Sequence, residues 1–490
     1  VPVALGADSS TQSTKVELRD IDTGELLGAG RAAHPTTAPP RSEQDPRSWW
    51  DAFVHATTAA LEQARTKGVA ASDVGAIAVA GQQHGLVVLD ASAVALRPAK
   101  LWNDTESADD ATELIAELGG PVAWTEACGS VPVAAFTVTK LRWLHRHEPA
   151  TFARVARVLL PHDWLTFRLT GAFATDRGDA SGTGYWSPSA GDYRFDVLSL
   201  IDADTPWPDM VPTVLGPSDE AGALTPDAAA ALGLVTGTLV AAGTGDNMAG
   251  ALGVGLAPGD VAVSIGTSGT VFSVSERPTA DPSGAVAGFA DATGRFLPLV
   301  CTMNATRVTE TMASLLGVDL ATLDELALAA PAGAGGIVLL PYLDGERTPN
   351  RPDATGAITG LRTGTTRDAL ARAAFEGVVC GLLDGVDALV AAGGTPGPPT
   401  RLVLLGGGAR SSAYRRVLAD LGRAPVTTAP EGELVTTGAC VQAAAAFRSA
   451  PPLDVVADWG RRSTSTTDPT IAPEVAAEVR RAYAIQRDRA

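Results

Sequence analysis

Residues 240–270 read VAAGTGDNMAGALGVGLAPGDVAVSIGTSGT, which sets a lone carboxylate in a glycine-rich turn shortly before a hydroxyl-rich hairpin tip. Asp246 follows the apolar run 239–242 through Gly243 and Gly245 and precedes Asn247-Met248-Ala249, which can open a helix. A strand-to-helix turn of this kind commonly faces a ligand crevice. Taken alone, Asp246 has two readings: a base in such a crevice, or a cap for the helix at Asn247. Residues 264–270, Ser-Ile-Gly-Thr-Ser-Gly-Thr, favour the first, because small residues let backbone N–H groups approach an anion while the hydroxyls add donors. A base beside a phosphate cradle suggests phosphoryl transfer, where positioning and electrostatics do most of the catalysis.

The elements that must position these groups are legible as a repeated pattern. Residues 3–5 are apolar, residues 6–14 form a polar turn that includes Asp8, Ser10 and Thr11, and residues 16–18 resume the strand pattern, which predicts a hairpin. Its tip resembles that of residues 261–273, and an echo so far along the chain suggests a duplicated domain, with two unrelated polar turns as the alternative. A strand over 26–31 follows, then Asp45-Pro46 as N-cap and first residue of a helix. Trp49, Trp50, Phe53, Ala60, Leu61 and Ala64 recur at helical spacing until Gly68. The apolar run 74–80 delivers Gln83 and His84 at the carboxyl end of a predicted strand, where ligands sit in open α/β sheets. Trp102-Asn103-Asp104 combines an aromatic plate with an amide and a carboxylate; this suits a polyhydroxylated ligand, and equally a turn in which Asp104 caps the helix over 108–118.

Helical patterns also cover 137–145, 151–158, 304–316 and 367–392, strands are expected at 295–300 and 337–340, and the Pro-rich 207–218 reads as connecting loop. Residues 402–405 run into Gly406-Gly407-Gly408-Ala409-Arg410, with Ser411 or Ser412 able to cap the next helix. A strand, three glycines and a capped helix suit the flat or phosphate parts of a nucleotide, or a tight turn chosen for packing.

Composition bounds the function. The 490 residues suffice for two or three domains with sizeable cores, and 45% hydrophobic content is ordinary for a soluble globular protein. A formal charge of -18 argues against nucleic acid or an anionic membrane as partner. Lys occurs only at 15, 67, 100 and 140, which reads as coding bias. Cys128, Cys301, Cys380 and Cys440 lack paired metal or redox spacing, so free thiols in a reducing compartment are expected. With no signal-peptide pattern at the start and no apolar run of membrane-spanning length, a cytoplasmic protein is expected. No Gly-Lys dipeptide occurs, so a Walker-type loop is absent, and no Gly-x-Ser-x-Gly, His-Glu-x-x-His or Gly-x-Gly-x-x-Gly motif supports a hydrolase or dinucleotide enzyme.

In order along the chain, SEQDPRSWW, AGQQHG, LWND, the GTGDN turn, SIGTSGT, LPYLDGERTP and LLGGGAR resemble the FGGY carbohydrate kinases, and within them the xylulokinases. The resemblance runs from the first hairpin to about Phe447. Residues 137–144 and 356–376 look like the two family signatures, with Ala135 and Ala369 departing from each. The family implies two ribonuclease H-like domains, related to actin and the heat-shock chaperones, flanking a central cleft: residues 1–244 on the sugar side and 245–490 on the nucleotide side, with a C-terminal helix packing back. It implies ATP-dependent phosphorylation of D-xylulose at its 5-hydroxyl, with another ketose, polyol or sugar acid as the alternative substrate and a non-catalytic sugar sensor as the remote one. By resemblance Asp246 is the general base, and Asp8 helps hold Mg²⁺ with Asp246 beside it. Thr11, Gly266 and Thr267 grip phosphates of ATP, and Gly407, Gly408 and Ala409 lie along the adenosine with Asn304 flanking. Gln83, His84, Trp102, Asn103, Asp104 and Asn247 contact the sugar. A homodimer is the family's expectation. Gln83 stands where xylulokinases often carry Met, and Ser10 where the hairpin often has Gly.

Overall fold

Val3–Ser9 is buried along its whole length, so it must be a central strand covered on both faces. It pairs antiparallel with Ser13–Asp20 and parallel with Val74–Gly81, which places Asp8 between Lys15 and Ala80. The computed structural model describes residues 1–429, 432–460 and 465–489. In it this sheet runs Glu220–Ala223, Leu239–Ala241, Val74–Gly81, Val3–Ser9, Ser13–Asp20, Leu26–Ala33. The second sheet repeats the plan. Asp260–Ile265 pairs antiparallel with Gly269–Ser273 and parallel with Arg401–Leu405, and Phe296–Thr302, Ala287–Ala290, Val426–Thr428 and Ser465–Thr467 complete it. A hairpin whose first strand takes a later parallel strand on its other side therefore occurs twice, as the repeated tips led one to expect.

The helices follow from their ends. Asp45 accepts from Arg47 N and Pro46 opens Pro46–Arg65, whose Trp49, Phe53, Ala60 and Leu61 are buried against the first sheet. Thr366 caps the long Arg367–Ala391, and Ser411 caps Ser412–Gly422. Leu434–Arg448 lies in the second half of the sequence yet packs on Val3–Ser9 and Val74–Gly81 of the first sheet, and against Asp246–Gly253. Glycine permits this close approach: a Cβ at Gly6 would stand 2.4 Å from Thr436 O, and one at Gly438 only 1.9 Å from Ala249 O. The final helix, Pro473–Arg487, packs on the second half instead.

Three expectations need correction. Residues 151–158 are not one helix: Pro149–Phe152 stops, and Arg157–Leu159 pairs with Val87–Leu89, where Val158 and Leu159 are better buried as strand. Residues 207–218 are not all loop, since Trp207–Met210 is helical and Thr213–Leu215 pairs with Ala174–Asp176. Asp104 caps no helix; it accepts from the buried Lys100 ammonium at 3.1 Å and from Ser42 N at 2.9 Å. No helix among the described residues is long and apolar enough to cross a membrane, and the four cysteines are free thiols.

Candidate active site

Thr244–Gly245 continues the sheet beside Ala80–Gly81, and this register carries Asp246 to the end of the strand that delivers Gln83 and His84. Gly245 is required there, because a Cβ would lie 2.7 Å from Gln83 Cγ and 2.8 Å from Asp179 Oδ1. Asp246 opens the helix Asp246–Gly253, and its Oδ1 accepts from Asn247 N at 2.7 Å and Asn247 Nδ2 at 2.9 Å. The same Nδ2 lies 3.3 Å from Gln83 Oε1. Asp246 keeps a partial opening to solvent. Loss of hydration, helped by the charges of Asp8 and Asp179, pushes its carboxyl up to about 7. A carboxylate so poised is matched to taking a proton near neutral pH.

Asp8 sits at the end of the first strand, with Oδ2 accepting from Ser10 Oγ at 3.1 Å and from Lys15 Nζ at 3.4 Å. Its Oδ1 is buried and has no hydrogen-bond partner among the described residues. Burial raises the Asp8 carboxyl above its usual range against the pull of Lys15. Lys15 also reaches Glu433 at 2.8 Å, at the start of the helix that crosses from the second half. Thr11 Oγ1 donates to Gln82 Oε1 at 3.1 Å and accepts from Trp102 Nε1 at 2.8 Å. Its proton is thus committed, which leaves a lone pair and the backbone of the tip for any ligand.

His84 has a positive φ of 67° and forms a three-ring cluster with Phe136, stacked on it at 4.9 Å, and Phe289 at 5.6 Å. Phe289 comes from the second sheet, so both halves build this wall. Arg347, in the 341–349 loop of the second half, also acts on the ring electrostatically. Burial, with the positive charges of Lys140 and Arg347, lowers His84 to about 3. His84 Nδ1 lies 2.6 Å from Gly182 O, so a neutral ring carries its proton on Nδ1 and presents Nε2 as an acceptor for a hydroxyl. Because a lowered pKa keeps the ring uncharged at every pH well above 3, ring-nitrogen NMR should show His84 as the Nδ1–H tautomer with no titration between pH 5 and 8. A midpoint near the ordinary histidine value would contradict this assignment.

The glycine turn after Arg401–Leu405 lies flat on Ile265: a Cβ at Gly408 would be 2.5 Å from Ile265 Cγ2, and Gly406 takes φ 77° with Ile265 O close beneath. Gly266, Thr267, Gly407 and Gly408 thereby share the wall of a cavity of about 490 Å³ with Thr309 and Tyr414. A second cavity of about 530 Å³, among Arg19, Leu252, Leu434 and Trp459, contains none of the residues considered above.

The structure thus joins Gln83, Asn247 and Asp246 by hydrogen bonds, with His84 next in the chain, ties Thr11 to Trp102, sets Asp8 near enough to act on the charge of Asp246, and gathers Gly266, Thr267, Gly407 and Gly408 round one cavity. Ala409 is half-buried behind that turn, its carbonyl accepting from Arg415 at 2.7 Å. Two residues are placed otherwise than expected. Asp104 is fully buried in its ion pair with Lys100 and braces the loop that carries Trp102 and Asn103. Asn304 is buried too, and its amide donates to Gly345 O at 2.7 Å and Glu346 Oε2 at 3.0 Å, so it braces the 341–349 loop and is not in the wall of the cavity at Gly266 and Gly408. Asn103 Oδ1 and Gln83 Nε2 are buried without hydrogen-bond partners among the described residues.

Sequence reasoning missed Lys15, Gln82, Phe136, Asp179 and Phe289. A signal for some was present. In a chain whose cations are nearly all Arg, Lys15 reaches Asp8, Lys100 anchors Asp104, and Lys140 donates to Ala134 O at 2.8 Å and to Ala135 O, fixing the segment that ends in Phe136. Each of these lysines reaches a carboxylate or carbonyl as a compact charged donor.

Two matching domains, a poised carboxylate and a glycine-lined cavity define a phosphotransferase of the duplicated ribonuclease H-like class. Residues 3–253 match the N-terminal domain of the FGGY family of carbohydrate kinases and residues 261–447 its C-terminal domain; the chain belongs to that family and is an ATP-dependent sugar kinase. Among its relatives, a xylulose kinase of Streptomyces coelicolor is 46% identical over 467 residues, 95% of this chain and 92% of that one. Another from Streptomyces rubiginosus is 44% identical over 458 residues, 94% and 91% of the two chains. The crystal structure of xylulose kinase from Bifidobacterium adolescentis superposes with a TM-score of 0.87 at 39% identity, covering 99% of each chain.

Proposed function

We propose that the chain is a xylulokinase, transferring the γ-phosphate of ATP to the 5-hydroxyl of D-xylulose to give D-xylulose 5-phosphate and ADP. The observation that carries the sugar assignment is the match to a xylulose kinase along 95% of this chain and 92% of that one. We infer that the two domains divide near residue 245, where the first sheet ends.

Asp246 takes the proton of the attacking hydroxyl as the oxygen–phosphorus bond forms. Asn247 fixes its carboxylate by two hydrogen bonds to one oxygen, leaving the other for the substrate. His84 accepts from a sugar hydroxyl through Nε2, and Gln83 offers an amide donor with no protein partner. Gly266, Thr267, Gly407 and Gly408 bring backbone donors to the nucleotide, where bulkier residues would close the cavity. Mg²⁺ fits at Asp8, whose buried Oδ1 is a hard oxygen donor without a hydrogen-bond partner among the described residues, and when bound it would offset the crowded charge of the phosphate oxygens.

A coupled ADP-release assay over a panel of ketoses, polyols and sugar acids tests the assignment. D-xylulose should turn over fastest; negligible turnover with it beside rapid turnover of another sugar would replace it as substrate.

A further inference from the structure

The turn that carries Asp246 is gripped on two sides by residues that lie outside the cavity lined by Gly266 and Gly408. His162, fully buried in the helix Pro161–Thr170, has Nδ1 2.6 Å from Asp179 Oδ2 and Nε2 3.2 Å from Ala242 O. A carbonyl can only accept, so Nε2 carries a proton for Ala242 O; with Asp179 ionised Nδ1 donates as well, and the ring is then an imidazolium. The charged groups facing it are all acidic. Asp163 Oδ1 is 3.2 Å from Nδ1 and Asp176 Oδ1 is 4.0 Å from Nε2, in addition to Asp179. Burial alone would strip the ring of its extra proton; Asp163 and Asp179 outweigh it and hold His162 well above the usual histidine range.

One residue further on, Gly243 O accepts from Gln442 Nε2 at 3.1 Å, a buried amide on the helix Leu434–Arg448. Gly243 itself has φ 76° and leaves no space behind it, since a Cβ would lie 2.4 Å from Val79 O. Thr244 Oγ1 donates to Asp176 Oδ2 at 2.7 Å, which ties the turn back to the acidic cluster round His162. Residues 242, 243 and 244 thus each have a fixed polar partner, and Asp246 follows at once.

We propose that His162 and Gln442 are positioning residues for proton transfer: the imidazolium fixes the Ala242 carbonyl, the amide fixes the Gly243 carbonyl, and together they aim the carboxylate of Asp246. The proposal rests on Asp246 being the base. A misplacement of about 1 Å can cost on the order of 10²-fold in rate, so two hydrogen bonds to the backbone of this turn are kinetically significant.

The test is steady-state kinetics of the full chain with D-xylulose and Mg-ATP for Gln442→Leu, His162→Gln, His162→Lys and Asp246→Ala, with sugar affinity measured by calorimetry. Gln442→Leu and His162→Gln should lower kcat by roughly 10- to 100-fold while leaving both KM values and sugar affinity as they were. His162→Lys, which restores a cation with donors for both acceptors, should recover part of the lost kcat. A residue that merely stabilised the fold would lower the melting temperature and leave kcat of the folded enzyme unchanged. Unchanged kcat in Gln442→Leu, or equal kcat in the two His162 variants, overturns the proposal. If His162→Gln does not fold, Gln442→Leu decides alone. Failure of the underlying reading looks different, because Asp246→Ala would then keep its turnover whatever the other variants do.

Discussion

Asp246→Ala is expected to bind D-xylulose with nearly the affinity of the parent chain while turning it over roughly 10²- to 10⁴-fold more slowly, the range lost with a general base. The other proposed sugar contacts survive the change: His84 is held by Gly182 O and packed against Phe136 and Phe289, with none of which Asp246 makes a hydrogen bond. Asn247 loses one partner and keeps Gln83. Deleting the carboxylate also removes a negative charge from beside Asp8, which should ease ionisation of Asp8 and so leave the nucleotide side no worse. Calorimetry gives the affinity and coupled ADP release the turnover. Undiminished turnover would falsify the role of Asp246, and lost sugar affinity would make it a binding residue instead.

The second large effect is on stability. Gly438→Leu should destabilise the protein by about 3 kcal/mol or more, because the new side chain must start 1.9 Å from Ala249 O and 2.6 Å from Ala249 C. Those atoms are backbone of the helix that begins at Asp246, so relief requires Leu434–Arg448 and Asp246–Gly253 to part. A flexible side chain could swing aside; a helix cannot. Gly250→Ala in the same helix pair is the control. Its Cβ would meet only Val435 Cγ2, at 3.8 Å, and replacing a helical glycine there should gain about 0.5–1 kcal/mol. Thermal melting of both variants gives the comparison. Equal melting temperatures would show that the two helices are not pressed together as described.

The extent to which all this was legible depended on how local the signal was. Both hairpins, the helix after Asp45-Pro46 and the turn at Gly406-Gly407-Gly408 announce themselves through neighbouring residues, and they appear where expected. Ala287–Ala290 did not, because Ala-Gly-Phe-Ala carries little strand character and is fixed instead by pairing with Phe296–Thr302 and by Gly288 N donating to Gly129 O. Phe289 was missed for the same reason: its place against His84 comes from tertiary docking, 205 positions along the chain. Asp104 and Asn304 show the converse. Both have residue types suited to a ligand, and both have polar atoms engaged in bracing loops, which only the positions of Lys100 and Glu346 decide. His162 lies in LLPHDW and Asp179 in ATDRGDAS, stretches without a ligand signature of their own until folding brings His162 under Gly243 and Asp179 under Gly245.

The helix Leu434–Arg448 has a consequence for how the chain is made. Ala4, Ala76 and Ala78 of the first sheet share one apolar cluster with Ala439, Ala443 and Ala444. While the ribosome is still adding residues short of 448, that face of the sheet has no lid. A nascent chain must therefore carry a sticky, half-finished first domain through the synthesis of nearly two hundred further residues, a burden of the kind that invites chaperone capture. A fragment ending at residue 253 should aggregate on release, and supplying residues 254–490 in the same cell should rescue it.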